Sequence, residues 1–344
     1  MTGPNGNRHR TGTVVSWACV LLASTVGGFP APVRGQTPPP VPAAETLELQ
    51  TSDGVQLNAA YYPAAAAAQG ATPPAAPVAV PVVILLHDLG GSSETVAGLA
   101  LALQKRGIAV VAPDLRGHGG STERMGGGAS LDAKTLKKPD FEAMIHSRGG
   151  RLREQAAMRG DVETIRGWIR DMASRGVFDM KRLFLVGSGV GAAVATGWTV
   201  EDAAWPDIAS GPQGRDVRGL VMISPTWTTR GFSISPTLSA DVVKRAIPIL
   251  VIAAGGEKGE GEKDAERLFE QLKRARPAEW YEQLSDQKAP TPNPKKADDV
   301  PATLFFLELA TTSKGDGLAT LSGPSGDVAG LIAGFMATVA PAGK

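Results

Sequence analysis

Val186-Gly187-Ser188-Gly189-Val190-Gly191 follows the apolar run Leu183-Phe184-Leu185 and opens a helix of small residues. A strand that turns sharply into a helix through closely spaced glycines lets the backbone adopt positive φ and lets the helix approach the strand. Two chemistries use such a turn. One cradles a dinucleotide with the spacing G-x-G-x-x-G, and here that spacing fails because Ala192 stands at the third glycine position. The turn also lies late in the chain rather than after the first strand. The other spacing, G-x-x-x-G, presents the side chain of its middle residue at the tip of the turn.

Working outward, the flanking sequence alternates apolar runs with helical stretches. Val82 to Leu86, Ile108 to Ala112, Leu183 to Val186, Leu220 to Ile223, Ile249 to Ile252 and Leu304 to Leu307 are continuous apolar runs, the pattern of strands covered on both faces. Between and after them, Thr95 to Lys105, Asp161 to Met172, the stretch from Val190, Asp264 to Arg274 and Val328 to Val339 read as helices. Leu47 to Thr51 and Val55 to Tyr62 alternate about Ser52-Asp53-Gly54 and predict a hairpin. The expectation is an α/β fold with a mostly parallel, doubly wound sheet preceded by an antiparallel hairpin.

Two segments interrupt this rhythm. Residues 121–160 carry eight Lys/Arg and five Asp/Glu and read as an inserted surface excursion over the end of the second parallel strand. Residues 286–301 hold Pro290, Pro292, Pro294 and Pro301 and read as a long polar loop. The N-terminus has its own logic. Arg8, His9 and Arg10 precede an apolar stretch from Thr13 to Phe29, and small residues follow near Gly35. Residues 1–35 are therefore expected to be a signal peptide, with an uncleaved N-terminal membrane anchor as the alternative. Residues 36–44 are a proline-rich linker, and 45–344 form one domain. The single cysteine, Cys19, would leave with the signal, which removes disulfide and thiolate chemistry from the mature chain.

The chain has 344 residues and a formal charge of +1, from 35 Lys/Arg and 34 Asp/Glu. That balance offers no electrostatic footprint for nucleic acid. The acid-rich run from Glu257 to Asp264 matches no calcium-loop spacing, and no metal or organic cofactor is implied. The expected partner is a small molecule or peptide.

In this order the residues resemble the α/β-hydrolase family, in its exported dienelactone-hydrolase-like and serine-aminopeptidase-like branch. The resemblance runs from Leu47 to Val339. It is carried by the Thr51–Leu57 turn, by Leu86-His87-Asp88-Leu89-Gly90-Gly91-Ser92, by Ala112-Pro113-Asp114-Leu115-Arg116-Gly117-His118-Gly119, and by the Gly187–Gly191 elbow. It implies an acyl-transfer site with serine at the elbow, an acid after a later strand and a final histidine. Those positions hold Gly189, Gly259 and Asp316 here. The four histidines are His9, His87, His118 and His146, so none follows residue 146. The resemblance further implies that the amides of Leu89 and Val190 form an oxyanion hole.

Two functions follow as expectations. One is a catalytically silent binding or scaffold protein. The alternative is an active hydrolase of esters, thioesters or peptides with a rearranged site, using Ser188 with His87, His118 or His146, and Glu257 or Glu260 as a substitute acid. His87 reads as structural, Asp114, Arg116 and His118 as ties within their loop, Asp161 as an anchor of its helix, and His146 as solvated. The tryptophans Trp168, Trp198, Trp205 and Trp227 read as core or pocket lining.

Overall fold

The computed structural model describes residues 41–65, 79–146, 160–207, 209, 213–256, 262–284, 288, 290, 303–323 and 326–340. The segments expected to be a signal peptide and most of the linker lie outside them, as do most of the 286–301 loop and the last third of the insertion.

Eleven strands and seven α-helices are present among the described residues. In chain order they are β1 (Glu45–Gln50), β2 (Gln56–Tyr62), β3 (Val80–Leu86), α1 (Ala97–Gln104), β4 (Ala109–Pro113), α2 (Lys138–Ile145), α3 (Asp161–Ser174), β5 (Phe178–Ser188) and α4 (Val190–Ala204). There follow β6 (Val217–Ile223), the short pair β7 (Thr228–Thr229) and β8 (Phe232–Ser233), β9 (Ile249–Ala254), α5 (Lys263–Lys273), β10 (Tyr281–Gln283), β11 (Leu304–Leu309), α6 (Asp316–Ala319) and α7 (Val328–Val339).

Nine strands form one sheet in the order β1-β2-β4-β3-β5-β6-β9-β11-β10. β1 and β2 form the antiparallel hairpin, and β2 joins β4 antiparallel. From β4 through β10 every pairing is parallel. Alternation of side chains along the strands splits the core into two layers. Val82, Ile84 and Leu86 of β3 and Leu183 and Leu185 of β5 face α2, α3, α4 and α5. Val83 and Leu85, with Phe184 and Val186, face α1 and α7. α5 shows why such helices form where they do. Ala265, Leu268, Phe269 and Leu272 recur at one-turn spacing and are the residues it buries.

The predicted hairpin, central strands and principal helices are all present, with boundaries shifted by a few residues. β10, the β7–β8 pair and α2 were not foreseen. Residues 122–135 are largely exposed, whereas the helix that follows them packs into the core. Phe141, Met144 and Ile145 of α2 are buried in the same layer as α3 and α4. Phe141 stacks on Phe232 of β8 with ring centroids 5.4 Å apart. Arg230 clamps the same hairpin to the insertion by donating to the Ala133 and Leu136 carbonyls at 2.5 and 3.3 Å. The charges occupy one side of a segment whose few apolar residues sit at i, i+3 and i+4, which is enough to bury a two-turn helix.

The loop after β4 is held by a buried ion network. Arg116, 1% exposed, donates through Nε and Nη2 to Asp161 and through Nη1 to Asp53 at 2.8 Å. Asp161 begins α3 and is fully buried, so the pair ties the loop, the first hairpin and a helix together. Asp114 accepts the Ser93 and Gly120 amides at 2.7 and 2.8 Å. The structural roles expected for Asp114, Arg116 and Asp161 match these contacts. Among the described residues no helix is long and apolar enough to cross a membrane.

Candidate functional site

The C-terminal ends of the parallel strands gather the chemistry-bearing loops, as open α/β sheets do. The elbow between β5 and α4 is built as the spacing requires. Gly189 has φ of 52° and ψ of −116°, in the region that favours glycine. Its amide donates to the Ile223 carbonyl at 2.9 Å. A Cβ on Gly191 would stand 2.5 Å from the His87 carbonyl and 2.6 Å from that of Leu86, so glycine there permits α4 to press against the end of β3.

Asp88, the second residue after β3, reaches into this elbow. Its Oδ1 accepts the Leu89 amide at 2.7 Å and the Val190 amide at 2.8 Å. These are the two amides expected to face a substrate oxyanion. A Cβ built on Gly189 would overlap the Asp88 carboxylate, and one on Gly315 would approach Asp88 Oδ2 to 2.7 Å. The carboxylate therefore lies where a side chain at the elbow would lie, and only glycines border it on those sides.

Asp316, at the position of the family's final histidine, joins the same cluster. Its Oδ1 accepts the Asp88 amide at 2.9 Å and its Oδ2 accepts the Thr95 hydroxyl at 2.6 Å. Burial and the nearby Asp316 charge raise the Asp88 carboxyl above its usual range, against the two amides that favour its charged form. Among the described residues neither carboxylate has a lysine or arginine as an ion-pair partner.

Ser188 does not meet a base. It is fully buried, and its hydroxyl has no hydrogen-bond partner. Its side chain sits one residue before the elbow tip, where the strand's alternation turns it away from the tip. His87 uses both ring nitrogens elsewhere. Nδ1 donates to the Asp88 carbonyl at 2.7 Å, and Nε2 accepts the Leu115 amide at 3.0 Å. Burial pushes His87 down to about 4, so it is neutral. His118 faces the Leu115 and Arg116 carbonyls through Nδ1. His146 is half exposed with Nδ1 3.7 Å from Glu201. Gly259, Glu257 and Glu260 lie outside the described residues.

Sequence reasoning passed over Glu262. This residue precedes α5 and is 8% exposed, and burial raises its carboxyl against the Ser224 hydroxyl and the Ala254 backbone, which favour the charged form. A signal was present: Gly-Glu-Lys occurs twice, at 256–258 and at 261–263, and the second copy leads directly into the helix. Two residues on, Asp264 accepts the Trp227 amide at 2.9 Å. Trp227 is half-buried, with the Arg267 guanidinium 3.8 Å over its ring. Trp198 is buried in the core, as expected.

A nine-stranded sheet of this order, with an elbow at β5–α4 and loops converging at its C-terminal ends, defines the architecture of the α/β hydrolases. The alpha/beta hydrolase family model matches residues 83–337, well over half of the chain, and the chain belongs to that family. No curated protein matches it. Among solved structures, DcsB in complex with its substrate analogue is similar at 14% identity, covering 87% of this chain and 99% of that one with a TM-score of 0.50. The Pyrococcus furiosus esterase Pf2001 is similar at 15% identity, covering 77% and 81%, with a TM-score of 0.45. A Klebsiella pneumoniae protein assigned as a dienelactone hydrolase is similar at 13% identity, covering 86% and 96%, with a TM-score of 0.45. At these identities the likeness is one of fold.

Proposed function

We propose that this chain is an exported, non-hydrolytic member of the α/β-hydrolase family that binds a small molecule or peptide at the C-terminal ends of its strands. The observation that carries this reading is the position of the Asp88 carboxylate. It takes both amides that would stabilise a tetrahedral oxyanion, and it fills the space beside Gly189 where a nucleophile would project. Acyl transfer needs a nucleophile, a base and a free pair of donors. Glycine at 189 supplies no nucleophile, and Asp316 accepts hydrogen bonds from Asp88 and Thr95. Loss of a nucleophile or base alone costs many orders of magnitude in rate. Export is supported by the basic, apolar and small-residue succession of residues 1–35.

The test is labelling of the purified mature protein with a fluorophosphonate probe, beside Ser188→Ala. Absence of labelling is the expected result. Labelling abolished by Ser188→Ala would establish a displaced serine nucleophile and overturn the reading. N-terminal sequencing of the processed protein should begin at or near Gln36, and an intact N-terminus would instead support the anchored form.

A further inference from the structure

Arg267, on the second turn of α5, sets its guanidinium carbon 3.8 Å from the centroid of the Trp227 ring. Trp227 lies between β6 and β7, is half-buried, and packs against the core layer that α5 covers. Its backbone is pinned at both ends. The amide donates to Asp264 Oδ2 at 2.9 Å, and the carbonyl accepts the Ser233 hydroxyl at 3.1 Å and the Ile234 amide at 3.2 Å. One residue earlier, the Thr226 amide approaches the Gly189 carbonyl at 3.4 Å. The indole is therefore a fixed platform on the segment that leads away from the elbow, and Arg267 lies on it.

An arginine on a helix surface pairs readily with an acid three or four residues away. Both acids at that spacing are taken. Asp264, three residues before, is engaged by the Trp227 amide, and Glu270, three residues after, pairs with Lys273 at 2.9 Å. Other carboxylates at this end of the sheet are answered elsewhere: Asp88 by the Leu89 and Val190 amides, Asp316 by the Asp88 amide and the Thr95 hydroxyl. Among the described residues no acceptor meets the N–H groups of Arg267, and the side chain is exposed. A guanidinium stacked on an aromatic face keeps its N–H edge in its own plane, directed past the ring. Two parallel N–H bonds from such an edge match the two oxygens of a carboxylate, and the stack has already restricted the side chain that must be ordered to make them.

We propose that Arg267, held on Trp227, is the receptor for a carboxylate on the ligand of this protein. The ligand oxygens take the free N–H edge, and the rest of the ligand extends along the Trp227 segment toward the elbow. The proposal rests on the reading of this end of the sheet as a binding site, and it names the chemical class bound there: an organic acid in its ionised form.

The experiment is isothermal titration of the mature protein with hexanoate, hexanamide and hexylammonium at equal ionic strength, near pH 7.5. Saturable binding of hexanoate alone is expected. Arg267→Gln should weaken it roughly tenfold or more, and Arg267→Lys should restore only part of the loss, because an ammonium has no two-pronged edge. Lys314, on the loop between β11 and α6, is another exposed cation. Lys314→Gln should leave binding within about twofold, since a separate exposed charge is screened. Circular dichroism verifies that each variant is folded, and Arg267→Lys serves if Arg267→Gln is not. Absence of saturable hexanoate binding, equal binding of hexanamide, or an equal loss in Lys314→Gln and Arg267→Gln would overturn the proposal. The two readings fail separately. Serine-dependent labelling by fluorophosphonate would sink the non-hydrolytic function and leave the carboxylate receptor standing. Lack of both labelling and hexanoate binding would sink the receptor alone.

Discussion

The Asp88 carboxylate accepts the Val190 amide at 2.8 Å, across 102 residues of chain, and thereby closes the first turn of α4 with a side chain from the end of β3. A negative group at a helix N-terminus is favoured by the exposed amides and by the helix dipole. The same bond puts the carboxylate against Gly189.

Gly189 and Asp88 should therefore be coupled in stability. Gly189→Ser places a side chain on the Asp88 carboxylate at positive φ and should cost about 2–4 kcal/mol. In an Asp88→Ala background the overlap is gone, and the same substitution should cost less by about 1–3 kcal/mol. Urea denaturation of the four proteins measures the difference, and strictly additive costs would contradict the described contact.

Asp202 should make the fold less stable as pH rises from about 4 to about 6. Burial raises this carboxyl to about 6, against hydrogen bonds from the Asp216 and Val217 amides. A carboxyl whose pKa is higher in the folded state favours folding while protonated, so its contribution is present below the unfolded value near 4 and is lost through the folded value. The change is about 3 kcal/mol, since one pKa unit corresponds to about 1.4 kcal/mol. Thermal unfolding of Asp202→Asn against pH should lack this component, and an unchanged slope would count against the assignment.

Arg116 should be among the most sensitive side chains in the molecule. It is 1% exposed and joins Asp161 and Asp53. Arg116→Ala leaves Asp161 buried and unpaired and should cost about 3–5 kcal/mol. Arg116→Lys should recover only part of this, because a single ammonium cannot span both carboxylates as the guanidinium does. Equilibrium denaturation midpoints of the two variants provide the comparison.

Phe141→Ala should test whether the insertion belongs to the core. The ring is fully buried and stacks on Phe232, so its removal should cost about 3–5 kcal/mol. Limited proteolysis should then cut within 121–146 or in the β7–β8 hairpin faster than in the parent protein. A variant as stable as the parent would mean that α2 is merely laid on the surface.

The two-sided apolar runs made the central strands legible, because strands buried on both faces have no polar alternation to confuse them. α5 and α7 were legible for the same reason of period. β10 was not, since Tyr281-Glu282-Gln283 is three residues at a sheet edge and carries no pattern of its own. α2 was hidden because its eight residues, Lys138 to Ile145, include two acids, a lysine and a proline, and its apolar residues find their partners only in the tertiary structure, on α3, α4 and β8.

The sequence by itself determined the layered α/β architecture, the glycine at the elbow tip and the absence of histidine after residue 146, because these are matters of residue type and period. Only the tertiary structure decided what fills the elbow. Asp88 lies 102 residues from Val190 and 228 from Asp316 in the chain. No spacing rule links such distances, and the direction of one carboxylate depends on the strand order that brings β3 beside β5.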